Sequence, residues 1–302
     1  MKHLRIGSRK SRLALWQTNH IAALLMDAHP GLTTEIVTMD TIGDKITDVP
    51  LPKIGAKGLF TQELEDALLD GSVDIAVHSL KDLPTILPDG LAYVGSPERA
   101  APTDAFISTK WTCFEDVPEN GVIATGSLRR KAQLLSVKPG LRFESLRGNI
   151  DTRLRKLEEF GWDGIIMATA ALERLERPEL VAQELNAQTF VPAVSQGAIG
   201  IEARADRQDI KDLLAPILHS LTMQAVQAER TFMRALEGGC SVPLGAYCIK
   251  TGAEWSFRAW VGTEDGQRTL NELAVGPDPV ALANAMVTDF RAKGANEILG
   301  RS

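Results

Sequence analysis

Apolar positions follow two rhythms through the first two thirds of the chain. Short apolar runs bounded by polar or turn residues predict strands at Leu4–Gly7, Glu35–Met39, Val73–His78, Leu91–Gly95, Ala105–Ser108, Val122–Thr125, Arg142–Ser145, Gly164–Ala168 and Ile199–Ala203. Between several of them the spacing becomes helical, with Phe60, Leu64, Ala67 and Leu68 on one face and Ile150, Leu154 and Leu157 on another. Strand–helix alternation of this kind predicts α/β layers around a mainly parallel sheet. Near residue 220 the pattern changes. Glu254–Val261 alternates polar residues with Trp255, Phe257 and Ala259, as a half-buried antiparallel strand does, and the polar turn Thr263–Gly266 leads to a second strand toward Val275. Asp278-Pro279 then starts a helix, with Asp as cap and Pro in the first turn, and Leu282, Ala285, Met286 and Phe290 form its predicted apolar stripe.

Two segments interrupt the α/β part. Ser96–Asp104 carries two prolines, and Pro192–Gly197 is short and ends in Gln196-Gly197. A strand after Gly197 that rejoins the first sheet makes the chain cross twice between two lobes. Thr41–Gly58 is a long segment without period, read as a lid or a surface loop.

Composition narrows the class. The chain has 302 residues, 44% of them hydrophobic and 24% charged, which is ordinary for a globular protein of two or three domains. The net charge of −6 gives no overall basic footprint for nucleic acid, so an anion site has to come from local arginines. Three cysteines, Cys113, Cys240 and Cys248, form no C-x-x-C pair and suit a reducing compartment. The first residues lack the apolar stretch of a secretory signal, and no run of about 18 apolar residues occurs. The expectation is a cytoplasmic protein with no membrane or nucleic-acid partner. No His/Cys spacing matches a zinc site, so no metal is expected.

The basic residues fall at strand ends. Leu4–Gly7 leads to Ser8-Arg9-Lys10-Ser11, Val122–Thr125 to Gly126-Ser127-Leu128-Arg129-Arg130, and Arg142–Ser145 to Leu146-Arg147-Gly148-Asn149, with Arg153 on the following helix. Ligands of open α/β sheets bind outside the carboxyl ends of strands, where helix N-termini favour anions and arginine adds bidentate geometry. One such arginine is ordinary surface; Arg9, Arg129, Arg130, Arg147 and Arg153 together predict a ligand with several negative charges. A Gly-Ser echo links residues 7–8 with 126–127. His78-Ser79-Leu80-Lys81-Asp82-Leu83-Pro84 places Asp82 on a turn after a strand, where a carboxylate can move protons, stabilise a cation or simply bond its own backbone. Glu237-Gly238-Gly239-Cys240-Ser241-Val242-Pro243 is a tight loop whose thiol is either reactive or an inert buried one. P-loop and dinucleotide glycine patterns are missing, so ATP or NAD chemistry has no support.

Taken in this order, His-Ser-x-Lys-Asp-x-Pro, Ser-Leu-Arg-Arg, Leu-Arg-Gly-Asn and Glu-Gly-Gly-Cys closely resemble the porphobilinogen deaminase (hydroxymethylbilane synthase) family. Ser8–Ser11, Leu13–Gln17, Lys57–Phe60 and Pro192–Glu202 add to the match, which runs from residue 4 to about 247. The resemblance implies a transferase that joins four porphobilinogen molecules head to tail into hydroxymethylbilane and releases ammonia each time. It also implies a dipyrromethane cofactor, itself made from substrate, bound as a thioether to Cys240. The fold implied is α/β, two doubly wound lobes resembling type II periplasmic binding proteins plus a small α+β C-terminal domain. With the pattern above, the lobes are 1–97 with 198–216 and 103–192, and the cysteine-bearing domain is 220–302. Residues matching Ser79, Lys81, Asp82, Thr125, Ser127, Arg129 and Arg130 are implied to hold the cofactor. Those matching Arg9, Ser11, Lys57, Phe60, Arg147, Arg153, Arg174 and Gln196 are implied to face substrate or the growing chain. Asp82 is implied as the catalytic carboxylate, contacting pyrrole N–H groups and stabilising the azafulvene left by ammonia loss. Gly126 stands where the family commonly has Ser, Arg12 for Pro, Ser195 for Gly and Ala171 for Gly. A monomer is expected. The alternative is a non-catalytic two-lobed binding protein for an anionic small ligand, which needs neither the Gly-Gly-Cys loop nor Asp82.

Overall fold

The computed structural model describes residues 2–45, 58–236 and 242–301. Within these the chain forms two compact units, one of residues 2–45, 58–100 and 197–223, the other of 101–196 and 224–301.

The first unit holds strands β1 (His3–Arg9), β2 (Thr33–Met39), β3 (Ile75–Ser79) and β4 (Leu91–Gly95), with helices α1 (Arg12–Ala28), α2 (Ile42–Lys45) and α3 (Gln62–Leu69). Its sheet has the order β2-β1-β3-β10-β4, where β10 is Ile199–Arg204. The first three strands are parallel and β10 runs against both of its neighbours. The sheet is therefore mainly parallel with one reversed strand, inserted between β3 and β4. One face packs Ile6, Ile75, Val77 and Ile201 against Ile21 and Leu25 of α1 and against Ile210 and Leu214 of α7 (Gln208–Leu214). The other packs Val73 and Ala76 against Leu64, Ala67 and Leu68 of α3. Burial on both faces explains why these strands read as continuous apolar runs.

The second unit repeats the plan. Strands β5 (Asp104–Ile107), β6 (Val122–Ala124), β7 (Arg142–Glu144), β8 (Gly164–Ala168) and β9 (Gln183–Leu185) lie in the order β7-β6-β8-β5-β9. β6, β7 and β8 are parallel and β5 is the reversed strand. Helices α4 (Leu128–Val137), α5 (Ile150–Glu159) and α6 (Thr169–Arg174) follow the three parallel strands. Leu134 of α4 packs with Phe106, Ile123 and Ile166, while Ile150 and Leu157 of α5 pack with Ile165 and Met167. The short polar strand β9 was not among the predicted strands.

The C-terminal part of the same unit begins in α8 (Ser220–Ala235). It continues as an antiparallel sheet of β11 (Leu244–Thr251), β12 (Glu254–Gly262) and β13 (Thr269–Gly276), covered by α9 (Pro279–Ala292). β11 is a further strand that the pattern missed. Asp278 caps α9 through its carboxylate, which accepts from Val280 and Ala281 N–H. The buried stripe of α9 is Ala283, Met286, Val287 and Phe290, and the predicted Ala285 is exposed instead. The alternation in β12 holds at Trp255, Phe257 and Ala259, but Trp260 is buried too, against Ala132 and Val191.

Glu229 of α8 is fully buried. One oxygen accepts from Ser195 N–H at 2.7 Å and the other from Cys248 N–H at 2.9 Å, tying the segment before β10 to β11. Glu229→Ala leaves both amides without this acceptor, and urea unfolding is expected to show a loss of about 4 kcal/mol. A loss under about 1 kcal/mol would mean that the carboxylate does not carry this junction.

Candidate functional site

In the first unit the carboxyl ends of β1 and β3 lie on one edge of the sheet, since the strands are parallel neighbours. β1 ends at Arg9. Ser11 caps α1 through its Oγ, which accepts from Ala14 N–H at 3.3 Å. Phe60 lies beneath Arg9, whose guanidinium carbon is 4.4 Å from the ring centroid. The ring also rests on Gly43, where an added Cβ would meet it at 2.2 Å. Phe60, implied to face substrate, thus packs against Arg9 and Gly43. The Gly-Ser echo of residues 7–8 and 126–127 falls in two five-stranded lobes, but its two serines play different parts. Ser8 is fully buried and bonded to Thr18, and it is Ser11 that shares the helix-capping role of Ser127.

β3 runs into a 3-10 turn, Leu80–Asp82. Leu83 is extended before Pro84, as a residue preceding proline prefers, and its N–H closes the turn on the Leu80 carbonyl. That backbone bond leaves the half-buried Asp82 side chain out of the turn's own closure. Ser79 Oγ is held by the amide of Gln17 at 2.9 Å and 3.2 Å. Lys81 is half-buried on the same turn.

The second unit collects its cations at the ends of β6, β7 and β8. Thr125 Oγ1 accepts from Ser127 N–H at 3.2 Å, and Ser127 Oγ from Arg130 N–H at 3.4 Å, which caps α4. Arg129 and Arg130 are both buried and converge on Asp104, the first residue of β5. Arg129 Nη2 is 2.8 Å from one carboxylate oxygen, and Arg130 donates to the other from Nε at 2.9 Å and Nη2 at 2.6 Å. Their remaining contacts include the carbonyls of Val191 and Ile166. Gln196 is fully buried and joins the same carboxylate at 3.1 Å, while also donating to the carbonyls of Pro102 and Thr103. Sequence reasoning found the two arginines and Gln196 but missed Asp104, the anion that gathers them. The available signal was an acid at the end of a linker, just before a predicted strand.

Arg147 is half-buried after β7, and burial lowers its pKa. Arg153 Nε donates to the Gly148 carbonyl at 2.8 Å. Arg174 ends α6 with 8% exposure, and burial pushes its pKa down to about 10 against the raising influence of Glu173. Gly126 has a steric cause: a Cβ there would sit 2.9 Å from the Leu146 carbonyl oxygen. Ser195 holds a left-handed φ of +62°, the conformation that glycine tolerates best. Ala171 lies in α6. The sequence-predicted Lys57 and Cys240 lie outside the described residues.

The C-terminal edge of the second sheet is strongly cationic in a chain of net negative charge. It suits a ligand bearing carboxylates. Comparison with known proteins gives the same direction. The dipyromethane cofactor binding domain of porphobilinogen deaminase matches residues 4–212, and the C-terminal domain of that family matches residues 223–292. The chain belongs to the porphobilinogen deaminase family. A porphobilinogen deaminase of Acidithiobacillus ferrooxidans is 46% identical over 98% of this chain and 97% of its own length. Those of Carboxydothermus hydrogenoformans, at 46% over 99% and 96%, and of Maridesulfovibrio salexigens, at 44% over 100% and 98%, are similar to the same extent. A periplasmic substrate-binding protein from Coxiella burnetii is similar at 16% identity, with a TM-score of 0.45 over 75% of this chain and 94% of that one.

The residues present fit the family's dipyrromethane. Two buried guanidiniums share one carboxylate, so a positive charge is left over beside a capped helix N-terminus, and Arg129 Nε has no hydrogen-bond partner among the described residues. A ligand carboxylate matches both features.

Glu65 of α3 is buried, and its pKa is raised, first by burial and also by the charge of Glu202. The fold thus favours its neutral form. This contribution is complete at pH values below the ordinary glutamate range and is lost as pH rises through the raised pKa. Urea unfolding between pH 4 and 8 is expected to show Glu65→Gln gaining stability relative to the unsubstituted chain as pH rises. A pH-independent difference would remove Glu65 ionisation from the stability profile.

Proposed function

We propose that the chain is a hydroxymethylbilane synthase, condensing four porphobilinogen molecules head to tail with loss of ammonia at each step. The family membership and the surplus of buried cationic charge at the carboxyl ends of β6–β8 support this reading. The same membership disfavours a binding protein without chemistry. Cys240 anchors the dipyrromethane as a thioether. When bound, the dipyrromethane supplies the free pyrrole α-carbon on which growth starts.

The protein's part is to hold carboxylates and manage one charge. Arg129 and Arg130, with Ser79, Lys81, Thr125 and Ser127, hold acetate and propionate groups of the cofactor. Arg9, Ser11, Lys57, Phe60, Arg147, Arg153, Arg174 and Gln196 serve the incoming substrate or the growing chain. For Gln196 that service is indirect, through the Asp104 cluster. Ammonia leaves porphobilinogen with its C–N electron pair, and the substrate becomes an electron-poor azafulvene. Asp82 faces its pyrrole N–H and stabilises this cationic character. The new C–C bond displaces a proton from a pyrrole α-carbon, and Asp82 is the carboxylate placed to take it. The arrangement comprises three domains, 1–97 with 198–216, 103–192 and 220–302, in a cytoplasmic monomer.

Incubation with porphobilinogen tests the activity by ammonia release and by uroporphyrin colour after acid and oxidation. Intact mass is expected to exceed the chain mass by one dipyrromethane, and Cys240→Ser to lack that increment. Asp82→Asn is expected to keep the cofactor mass and the fold while losing about 10²-fold or more in turnover. A folded, unmodified chain that leaves porphobilinogen untouched would overturn the reading, and near-normal turnover in Asp82→Asn would remove that carboxylate from the chemistry.

A further inference from the structure

The first unit buries a cluster of ionisable side chains that no role above uses. His78 of β3 and Glu202 of β10 are 5% and 0% exposed, and His78 Nε2 lies 3.0 Å from Glu202 Oε2. They share the sheet face covered by α3, where Ala76 packs against Leu64, Ala67 and Leu68. Glu65 of α3 is buried at the same place, within electrostatic reach of both. A buried pair of hydrogen-bonded ionisable groups is a poor source of stability, because desolvation offsets much of the attraction and apolar residues of similar size in place of both often do as well. Its presence in an apolar layer calls for another reason.

The register supplies one. His78 stands opposite Gly200, and Glu202 stands opposite Ala76, so the hydrogen-bonded pair is diagonal across the two strands. A diagonal hydrogen bond adds a directional constraint against sliding to the register that the buried apolar faces already specify. The strand end that would slide is the one that carries Lys81 and Asp82. The ladder continues to it without a break: Ser79 pairs with Ile199, and Leu80 N–H donates to the Ala198 carbonyl at 3.0 Å. Leu80 sits over Gly200, where a Cβ would be 2.8 Å from its Cδ1, so this end has little room for a second position. Glu65, within electrostatic reach of the pair, lies on the helix that begins just after Phe60, the ring beneath Arg9.

We propose that His78 and Glu202 are positioning residues for the reaction, fixing the register of β3 against β10 so that the Asp82 carboxylate is held at the substrate's pyrrole nitrogen. The inference rests on the porphobilinogen reading of the site. Misplacement of a reacting group by an ångström costs on the order of 10²-fold in rate, so a lock of this kind is read in turnover before it is read in stability.

The test uses the cofactor-loaded enzyme, with rates expressed per mole of dipyrromethane found by intact mass. The double variant His78→Leu/Glu202→Leu removes the diagonal bond without leaving either partner buried and unpaired. It is expected to lower kcat about tenfold or more while KM for porphobilinogen moves less than about threefold and the urea midpoint is held. Glu202→Gln retains a hydrogen-bonding partner for the imidazole and is expected to restore kcat to within about threefold of the unsubstituted enzyme. If the Leu variant does not accumulate, Glu202→Asp takes its place. It keeps the charge but withdraws the carboxylate by one methylene, and the same loss is expected. Unchanged kcat in the Leu or Asp variant overturns the inference. So does a Gln variant that falls as far as the Leu or Asp variant, and so does a loss of rate that tracks a loss of folded protein. An unsubstituted enzyme that does not consume porphobilinogen fails the activity reading instead, which separates the two.

Discussion

Much of the second unit is organised by one carboxylate. Asp104 opens the reversed strand of its sheet, is fully buried, and receives Arg129, Arg130 and Gln196. A lone buried carboxylate, or two buried guanidiniums without one, would be too costly to keep inside a protein. The arrangement is tolerable because each group answers another, and because backbone carbonyls of Val191, Ile166, Pro102 and Thr103 take further donors, leaving Arg129 Nε over. The count is still unequal, two cations to one anion. The leftover charge, beside the N-terminus of α4, is what makes the edge receptive to a carboxylate-bearing ligand.

The same constraint joins fold to chemistry. Arg129 and Arg130 follow β6, Asp104 begins β5, and Gln196 comes from the segment that leaves the unit for β10. Only the strand order β7-β6-β8-β5-β9 brings these distant residues together. The cluster therefore has two duties, closing the top of the sheet and presenting a net positive charge. A residue that serves both has little freedom to change.

How far the sequence was legible follows from this. A strand buried on both faces, Gly164–Ala168, read correctly because every residue in it is apolar or small. Gln183–Leu185 did not, since an edge strand of polar residues has no pattern to read. The stripe of α9 was misplaced at Ala285 because alanine is compatible with either face. At the site, strand-end arginines were visible in the sequence, as was the turn that Pro84 imposes on Asp82. Asp104 was not, since its partners lie more than one element away and nothing local marks a long-range ion pair. Gln196 was assigned to substrate on resemblance, yet its amide is engaged with the carbonyls of Pro102 and Thr103 and with Asp104. Gly126 and Ser195 show how family comparison and geometry complement each other. A close carbonyl explains the first, while the second accepts a left-handed backbone at a cost of roughly 1 kcal/mol.

The insertion of β10 between β3 and β4 has a consequence for how the protein comes into being. As a nascent chain leaves the ribosome, β3 and β4 emerge early but cannot be bridged until residues 199–204 follow. By then every strand of the other five-stranded sheet has already been synthesised. The later sheet in sequence is thus able to close first, while the earlier one waits with two unpaired edges, the kind of surface that invites wrong pairing. Completion of the first sheet in sequence therefore depends on a segment made after every strand of the other five-stranded sheet.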